Sequence, residues 1–302
     1  MEEVLNIKNL TKKYGSRACV NEINMNIKKG DIYGFIGRNG AGKTTTIKMI
    51  TGLTKPTSGE ISLFGGKDLG AGRQKIGTVI EAPAFVPHLS ARSNMYIQWK
   101  LLSDQREAVI DETLSLVGLK DVGNKKARDF SLGMKQRLGI GMALMGDPEF
   151  LVLDEPVNGL DPEGIIQVRS LLKKLNEERG VTILISSHLL NELSRLATRY
   201  GIINNGKMID ELSVSELEEK CKPHLLVKVD NLKKAEELLK EAFKECTLKV
   251  INGTNTIEVH DFSGKPSDIT KLLSVNDVLV ESIQRSTVDL EDYFMKVIGG
   301  EN

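Results

Sequence analysis

The stretch Gly37-Arg38-Asn39-Gly40-Ala41-Gly42-Lys43-Thr44 decides the fold of this chain. It has the pattern GxxxxGK[ST] and follows the apolar run Ile32 to Ile36, which is typical of a buried strand. A helix is expected to begin near Lys43, so the stretch joins a strand to a helix. Its glycines let successive backbone N–H groups converge in front of the helix N-terminus, where an anion can bind.

We interpret this stretch as a phosphate-binding loop. Lys43 contributes a mobile cation, and the hydroxyl of Thr44 is available to Mg²⁺. A glycine-rich turn without a ligand is the alternative, but the Lys-Thr pair between a strand and a helix favours phosphate binding. Every residue of the loop, together with the following Thr45, is therefore predicted to contact a nucleotide.

The rest of the first two thirds of the chain predicts the class of fold. From Val4 to about Asp210, strand-like apolar runs alternate with longer helical patterns. This alternation is typical of a mostly parallel sheet covered by helices, so the predicted class is α/β. The segment from about 90 to 146 is almost purely helical and is interpreted as a subdomain inserted into a nucleotide-binding domain over 1–213.

Composition changes after Ser213, and residues 214–302 are predicted to form a small α+β domain. Its order of strand, helix, strand, strand, helix and strand is that of a ferredoxin-like, split βαβ unit. A last helix is predicted over Val288 to Val297. This domain could dimerise, sense a ligand, regulate hydrolysis or pack as a simple appendage, and the sequence leaves these alternatives open.

Bulk composition excludes several classes of protein. Lys+Arg and Asp+Glu both number 41, so no global basic field points to nucleic acid. The three cysteines are scattered and lack metal-ligand spacing, which suits a reducing compartment. No signal-like start and no apolar run near the roughly 20 residues needed to span a bilayer is visible, so a cytoplasmic protein is expected.

A pair of carboxylates, Asp154 and Glu155, follows the apolar run Phe150 to Leu153. In P-loop enzymes such a strand runs beside the one that leads into the loop, so Asp154 is predicted to face Mg²⁺. Hydrolysis also needs a group that orients or deprotonates water, and this role is assigned to Glu155. Adjacent acids at a strand end are often only solvated, but their pairing with a phosphate loop favours a site.

A further motif, Phe130-Ser131-Leu132-Gly133-Met134-Lys135-Gln136-Arg137, lies between the loop and the carboxylates. It resembles the LSGGQ-type signature of ABC ATPases. The family's remaining motifs occur in the expected order: Tyr14 as the adenine-stacking aromatic, Asn158-Gly159-Leu160-Asp161 as the D-loop, and Ser186-Ser187-His188 with the switch histidine. The resemblance covers the chain up to about residue 210.

The resemblance implies a dimer that holds ATP and Mg²⁺ between its subunits. Ser131 and Gly133 of one subunit then contact the γ-phosphate of ATP bound to the other, with Asp161 also at the nucleotide. His188 is implied as a catalytic residue that contacts the γ-phosphate. Taken alone, Ser131 could be a helix N-cap, His188 a surface histidine and Tyr14 a core aromatic.

Glu81 is the largest departure from the family pattern, because most ABC ATPases have a glutamine there. That glutamine normally touches Mg²⁺ and the water and reports nucleotide state to the permease, so Glu81 is predicted as a catalytic and metal-binding residue. Together with the signature and the small C-terminal domain, Glu81 resembles the ATPases of bacitracin and lantibiotic export and immunity. Whether it changes rate or coupling is left open.

The resemblance thus implies the ATP-hydrolysing subunit of a transporter for export of, or immunity to, an antimicrobial peptide. Its implied partners are a separately encoded membrane permease and a second copy or a related ATPase subunit, with the protein peripheral on the inner face of the cell membrane. An exporter ATPase for a drug, ion or lipid is the alternative. ABC ATPases that act on nucleic acid usually have two tandem cassettes or a long coiled coil, and neither is visible in this sequence. The intact motif residues oppose a third alternative, a non-catalytic binding module.

Overall fold

A computed structural model describes residues 2–102, 107–251, 253–286 and 290–299. The chain divides into two compact units, Met1–Val214 and Ser215–Asn302. In chain order, the strands are β1 (Glu3–Tyr14), β2 (Arg17–Lys28), β3 (Ile32–Ile36), β4 (Ser58–Leu63), β5 (Ile76–Val79), β6 (Phe150–Asp154), β7 (Thr182–Ser187), β8 (Arg199–Asn204), β9 (Lys207–Ser213), β10 (His224–Val229), β11 (Thr247–Ile251), β12 (Thr256–His260) and β13 (Val280–Ser286).

The α-helices have the following bounds: α1 (Lys43–Ile50), α2 (Leu69–Gln74), α3 (Ala91–Leu102), α4 (Val109–Leu116), α5 (Leu132–Leu144), α6 (Pro162–Arg179), α7 (Leu190–Leu193), α8 (Val214–Lys220), α9 (Leu232–Ala242), α10 (Pro266–Val275) and α11 (Leu290–Gly299). None of these described helices is both long and apolar enough to cross a bilayer.

The central sheet of the first unit has the strand order β5-β6-β7-β3-β8-β9. Its strands pair in parallel except for β9, which confirms the predicted mostly parallel sheet. All residues of β3, β6 and β7 are buried. Strands covered on both faces read as continuous apolar runs, which is why these three were visible in the sequence.

One predicted feature of this sheet is wrong: β6 does not run beside β3. The strand β7 lies between them and pairs with both. All three strands are fully buried and contain apolar runs, so their sequences carry no signal that fixes their order across the sheet. The insertion of β7 brings Ser186 directly beside Asp154 in the parallel register.

A second sheet, which the sequence analysis did not predict, packs on the first unit's core. It is antiparallel, in the order β2-β1-β4. Its buried residues Val20 and Ile23 join a core with Phe35 of β3 and Ile47 of α1. The β1–β2 hairpin therefore lies over the start of α1, and the carbonyl of Cys19 comes close to the phosphate loop.

The second unit contains a four-stranded antiparallel sheet in the order β11-β12-β10-β13. With α9 and α10 as its connections, this is the predicted split βαβ arrangement. Val227, Ile257, Leu239 and Leu273 belong to its separate core. The predicted last helix is α11, and Val288 at its predicted start lies outside the described residues.

Candidate active site

The phosphate loop is the turn between β3 and α1, as predicted. Gly42 is the N-cap of α1 with φ of 114°, and no side chain caps this helix end. A Cβ on Gly42 would lie 2.8 Å from the carbonyl oxygen of Cys19, so the turn requires glycine for both its φ and its space. The uncapped N–H groups of α1 remain available to an anion.

The other residues of the loop alternate between buried ends and an exposed middle. Gly37 and Ala41 are buried, whereas the three residues between them are exposed: Arg38, Asn39 and Gly40. Thr44 and Thr45 are half-buried in the first turn of α1.

Lys43, Glu155 and His188 form a connected row of charged and polar groups. Lys43 is 5% exposed, and its Nζ donates to the carbonyl oxygen of Gly37 at 2.7 Å. The same Nζ lies 3.1 Å from Oε1 of Glu155. Nδ1 of His188 lies 2.8 Å from Oε2 of Glu155. Glu155 is thus held between a cation and an imidazole at the mouth of the loop.

A second set of contacts joins Thr44, Asp154 and Ser186. The Thr44 hydroxyl donates to Oδ2 of Asp154 at 2.8 Å, and the Ser186 hydroxyl donates to Oδ1 at 2.5 Å. A hydroxyl and a carboxylate are the oxygen ligands that Mg²⁺ prefers, so this pair fits the predicted metal. Within the described residues, no cluster of three or more His, Cys, Asp or Glu side chains could hold a metal ion by itself.

Glu155 leaves the strand direction immediately after Asp154. Its φ is 50°, a left-handed value that is uncommon for a residue with a side chain. Its backbone N–H donates to both the carbonyl oxygen of Ser186, at 3.1 Å, and the Ser186 hydroxyl, at 3.0 Å. This turn is what allows adjacent acids to face different partners, Thr44 for Asp154 and Lys43 for Glu155.

The signature segment and the D-loop bring two helix N-termini together. Ser131 caps α5 by accepting from the N–H of Met134 at 3.2 Å. Asp161 caps α6 by accepting from the N–H of Gly164 at 3.1 Å. Gly133 is buried against Gly164, since a Cβ on Gly133 would lie 3.5 Å from the Gly164 Cα. Capping is therefore a role that Ser131 and Asp161 have within one chain.

Comparison with known proteins identifies this assembly of motifs. A family model described as ABC transporter matches residues 20–158. The bacitracin transport ATP-binding protein BcrA of Bacillus licheniformis is 43% identical over 303 residues, which are 99% of each chain. The chain belongs to the ABC transporter ATP-binding family. Its activity is accordingly ATP hydrolysis coupled to transport.

Two further relatives of this ABC ATPase differ in coverage. The lantibiotic transport ATP-binding protein SrtF of Streptococcus pyogenes is 46% identical over 208 residues, 69% of this chain and 90% of that one. Among solved structures, the ATP-binding cassette MJ0796 in a dimeric post-hydrolysis state with ADP and Pi superposes with a TM-score of 0.63 and 29% identity. That match covers 70% of this chain and 98% of the other.

In this ABC ATPase, Glu81 is not placed at the Thr44–Asp154 pair. Its Oε1 lies 2.5 Å from Nζ of Lys48, and its side chain is 64% exposed. Glu81 has a φ of 61°, and the N–H of Ala82 donates to the carbonyl oxygen of Ile80 at 2.7 Å, which makes the segment a γ-turn. The hydrogen bond that Lys48 donates to Glu81 raises the pKa of Lys48, and the nearby charge of Asp154 adds to the effect.

Tyr14 lies at the end of β1, where the hairpin reaches the loop side of the unit. Its side chain is 54% exposed, so the alternative of a core aromatic is wrong. Nζ of Lys12 lies 4.9 Å from the centre of its ring. An exposed ring is available for stacking, which is the role that the family resemblance implies for it.

The structure adds two residues that the sequence analysis did not select, Lys48 and Ser186. Lys48 follows Thr44 by one helical turn on α1, so it lies on the same face of the helix. Ser186 is a polar residue that directly follows the apolar residues Ile183 to Ile185 of β7. A polar side chain at a position that periodicity marks as buried was the available signal for Ser186.

Proposed function

We propose that this ABC ATPase uses ATP and Mg²⁺ to power the export of, or immunity to, an antimicrobial peptide of the bacitracin or lantibiotic class. The observation that carries the proposal is its similarity to BcrA along 99% of both chains. The match to SrtF covers only 69% of this chain, whereas the match to BcrA includes the small second unit. The predicted domain over 214–302, which contains that unit, is proposed to be an accessory domain of the bacitracin-type transporter.

The proposed chemistry is in-line transfer of the γ-phosphoryl group of ATP to water. Lys43 and the N-terminus of α1 bind the phosphates, and Glu155 orients the water and accepts its proton. The water oxygen forms a bond to the γ-phosphorus as the bond to the β–γ bridging oxygen breaks, and ADP leaves with that electron pair. Thr44 and Asp154 would hold Mg²⁺, which would neutralise charge on the phosphate oxygens when bound.

In the proposed hydrolytic state, the phosphates replace Glu155 as the partner of Lys43. The 3.1 Å ion pair between these side chains then opens, which frees Glu155 to contact water. In this proposed state, Nδ1 of His188 stays within hydrogen-bond distance of Glu155, and the opposite side of the imidazole ring contacts the γ-phosphate. Loss of the γ-phosphate removes the contact that distinguishes the ATP state from the ADP state.

We propose that two copies, or this chain and a related subunit, close around ATP. The N-termini of α5 and α6 lie side by side at Gly133 and Gly164. Leu132, in the first turn of α5, is 49% exposed although it is apolar, which suits a surface that becomes covered. Ser131 and Gly133 then present the N-terminus of α5 to the γ-phosphate held by the other subunit.

The two roles of Ser131 can be separated by substitution. Ser131→Ala removes the N-cap and is expected to lower stability by about 1 kcal/mol. Ser131→Asp keeps a good N-cap, so its melting temperature should stay near that of the parent, while its charge repels the γ-phosphate. In a Glu155→Gln background, size-exclusion chromatography with ATP should show that Ser131→Asp abolishes dimer formation. Unchanged ATP-dependent dimerisation of Ser131→Asp would contradict a phosphate contact by Ser131.

A groove beside Glu81 is the proposed docking surface for a separately encoded permease. It has a volume of about 350 Å³ and is lined by the neighbours of Glu81, Ile80 and Ala82, and by the apolar side chains Leu53 and Leu102. Leu53 is 67% exposed and Leu102 is 36% exposed. A cytoplasmic segment of a membrane protein seated here would hold the ATPase on the inner face of the membrane and would sense movement of Glu81.

We expect Glu81→Gln to uncouple transport from hydrolysis. Glu81 pairs with Lys48 rather than with the Thr44–Asp154 pair, so ATPase activity should stay within about twofold, because the lost ion pair is exposed and lies outside the proposed metal site. Peptide resistance of cells carrying the permease should fall. Lys48→Met, which breaks the same pair from the other side, should give the same separation. Parallel loss of ATPase activity and resistance in Glu81→Gln would contradict a coupling role.

The substrate class is tested by co-expression with the permease in peptide-sensitive cells. The minimum inhibitory concentration of bacitracin or of a lantibiotic should rise, and Lys43→Ala in the ATPase should remove that rise. An unchanged susceptibility to both peptides would refute the proposed substrate class while leaving the ATPase assignment intact.

A further inference from the structure

Ser186 is a fully buried hydroxyl that contacts both carboxylate residues of the site. Its side chain is 0% exposed in the centre of the parallel sheet. The hydroxyl donates to Oδ1 of Asp154 at 2.5 Å and accepts from the N–H of Glu155 at 3.0 Å. These two bonds use the donor and one of the acceptor positions of a serine hydroxyl.

The first bond fixes how the Asp154 carboxylate is oriented. Asp154 is 4% exposed, and its two oxygens have different partners: Oδ1 receives the Ser186 hydroxyl and Oδ2 receives the Thr44 hydroxyl. Rotation of the carboxylate would break both bonds in a buried site, where an unmade hydrogen bond costs about 1–3 kcal/mol. Ser186 therefore directs Oδ2 toward Thr44.

The second bond fixes where the chain turns. Glu155 has a φ of 50°, and its N–H donates to the carbonyl oxygen and the hydroxyl of the same residue, Ser186. A left-handed conformation in a residue with a side chain persists where surrounding contacts hold it. This turn places the Glu155 carboxylate beside Lys43 and His188.

We propose that Ser186 is a positioning residue that sets the metal-facing oxygen of Asp154 and the backbone turn of Glu155 through one hydroxyl. The inference rests on the proposed roles of Asp154 and Glu155. Its basis is the strand order, because β7 pairs with β6 so that Ser186 lies directly opposite Asp154. Partners that hold a metal-binding side chain in place commonly change metal affinity by about 10–100-fold when they are removed.

The neighbouring Ser187 provides a matched control. It is equally buried and lies in the same strand, but its hydroxyl accepts from the N–H of Leu189 at 2.9 Å. Ser187→Ala therefore removes a hydroxyl of the same size from the same strand. The two substitutions differ in whether the Asp154 carboxylate loses a donor.

The test compares ATP affinity with and without Mg²⁺ in the full-length protein. In EDTA, Ser186→Ala should bind ATP within about twofold of the parent, because Lys43 and the helix N-terminus are unchanged. The gain in affinity that Mg²⁺ gives the parent should fall by about tenfold in Ser186→Ala. Ser187→Ala should keep that gain. In turnover, Ser186→Ala should lower kcat more than it raises KM.

Ser186→Thr retains a hydroxyl and should restore the Mg²⁺-dependent gain, which also tests the proposal if the alanine variant does not fold. The proposal is overturned if Ser186→Ala weakens ATP binding equally with and without Mg²⁺, or if it keeps the full gain. A different result would show that the proposed function itself is wrong: Lys43→Ala would then bind ATP as tightly as the parent protein does.

Discussion

Glu155→Gln should reduce ATP hydrolysis at least about 100-fold, within the range that a positioned general base contributes. The amide keeps the size and place of the carboxylate but cannot accept the proton of the attacking water. ATP binding should survive because Lys43, Thr44 and Asp154 are unchanged. The substitution also removes a negative charge that lies 3.1 Å from Nζ of Lys43, so the ATP state should become more stable.

In the presence of ATP, the Glu155→Gln variant is expected to form a persistent dimer. Phosphate release measures the loss of hydrolysis, and size-exclusion chromatography measures the dimer. Glu149→Gln is a matched control, because Glu149 immediately precedes the same strand and pairs on the surface with Lys75 at 2.7 Å. A Glu155→Gln protein that hydrolyses ATP at the parent rate, or that stays monomeric in ATP, would argue against the shared site.

Lys43→Ala should weaken ATP binding by about 100-fold or more, which corresponds to about 2.8 kcal/mol. Two electrostatic changes act in the same direction. The substitution removes the cation that the phosphates need, and it leaves Glu155 without the partner that lies 3.1 Å away. Without the lysine cation beside it, the Glu155 carboxylate repels the γ-phosphate. Isothermal titration with ATP measures the loss, and Lys75→Ala on the surface should bind normally.

The same substitution is expected to lower stability, because Lys43 is 5% exposed and breaking a buried pair leaves an uncompensated charge. The double variant Lys43→Ala/Glu155→Gln separates the two effects. It removes the negative charge that has lost its lysine partner, so its melting temperature should recover toward that of the parent while ATP binding stays weak. Recovery of ATP binding in the double variant would show that the cation itself contributes little.

Much of the candidate site was predictable because its motifs are local. The loop needs glycines, a lysine and a hydroxyl at fixed spacing between a strand and a helix, and each of these is visible in a short stretch of sequence. Asp154 and Glu155 were visible because charges end an apolar run. The structure brings Lys43, Glu155 and His188, each from a different motif, into one row.

The partner of Glu81 was not predictable in the same way. By resemblance, Glu81 was expected at the metal, but its carboxylate contacts Lys48 on α1. The two residues are far apart in the sequence, and no periodic pattern links a loop residue to one face of a distant helix. The sequence shows that position 81 has a glutamate where most ABC ATPases have a glutamine. The ion pair with Lys48 explains how the structure accommodates a carboxylate at this position.

The sequence by itself determined the α/β class, the split βαβ order of the second unit and the residues proposed to bind phosphate, because these follow from local spacing and periodicity. Only the tertiary structure decided that β7 lies between β3 and β6. Strands buried on both faces carry the same apolar pattern, so their order depends on hydrogen bonds between distant segments. That order places the Ser186 hydroxyl on Asp154 and on the turn at Glu155, which no local pattern encodes.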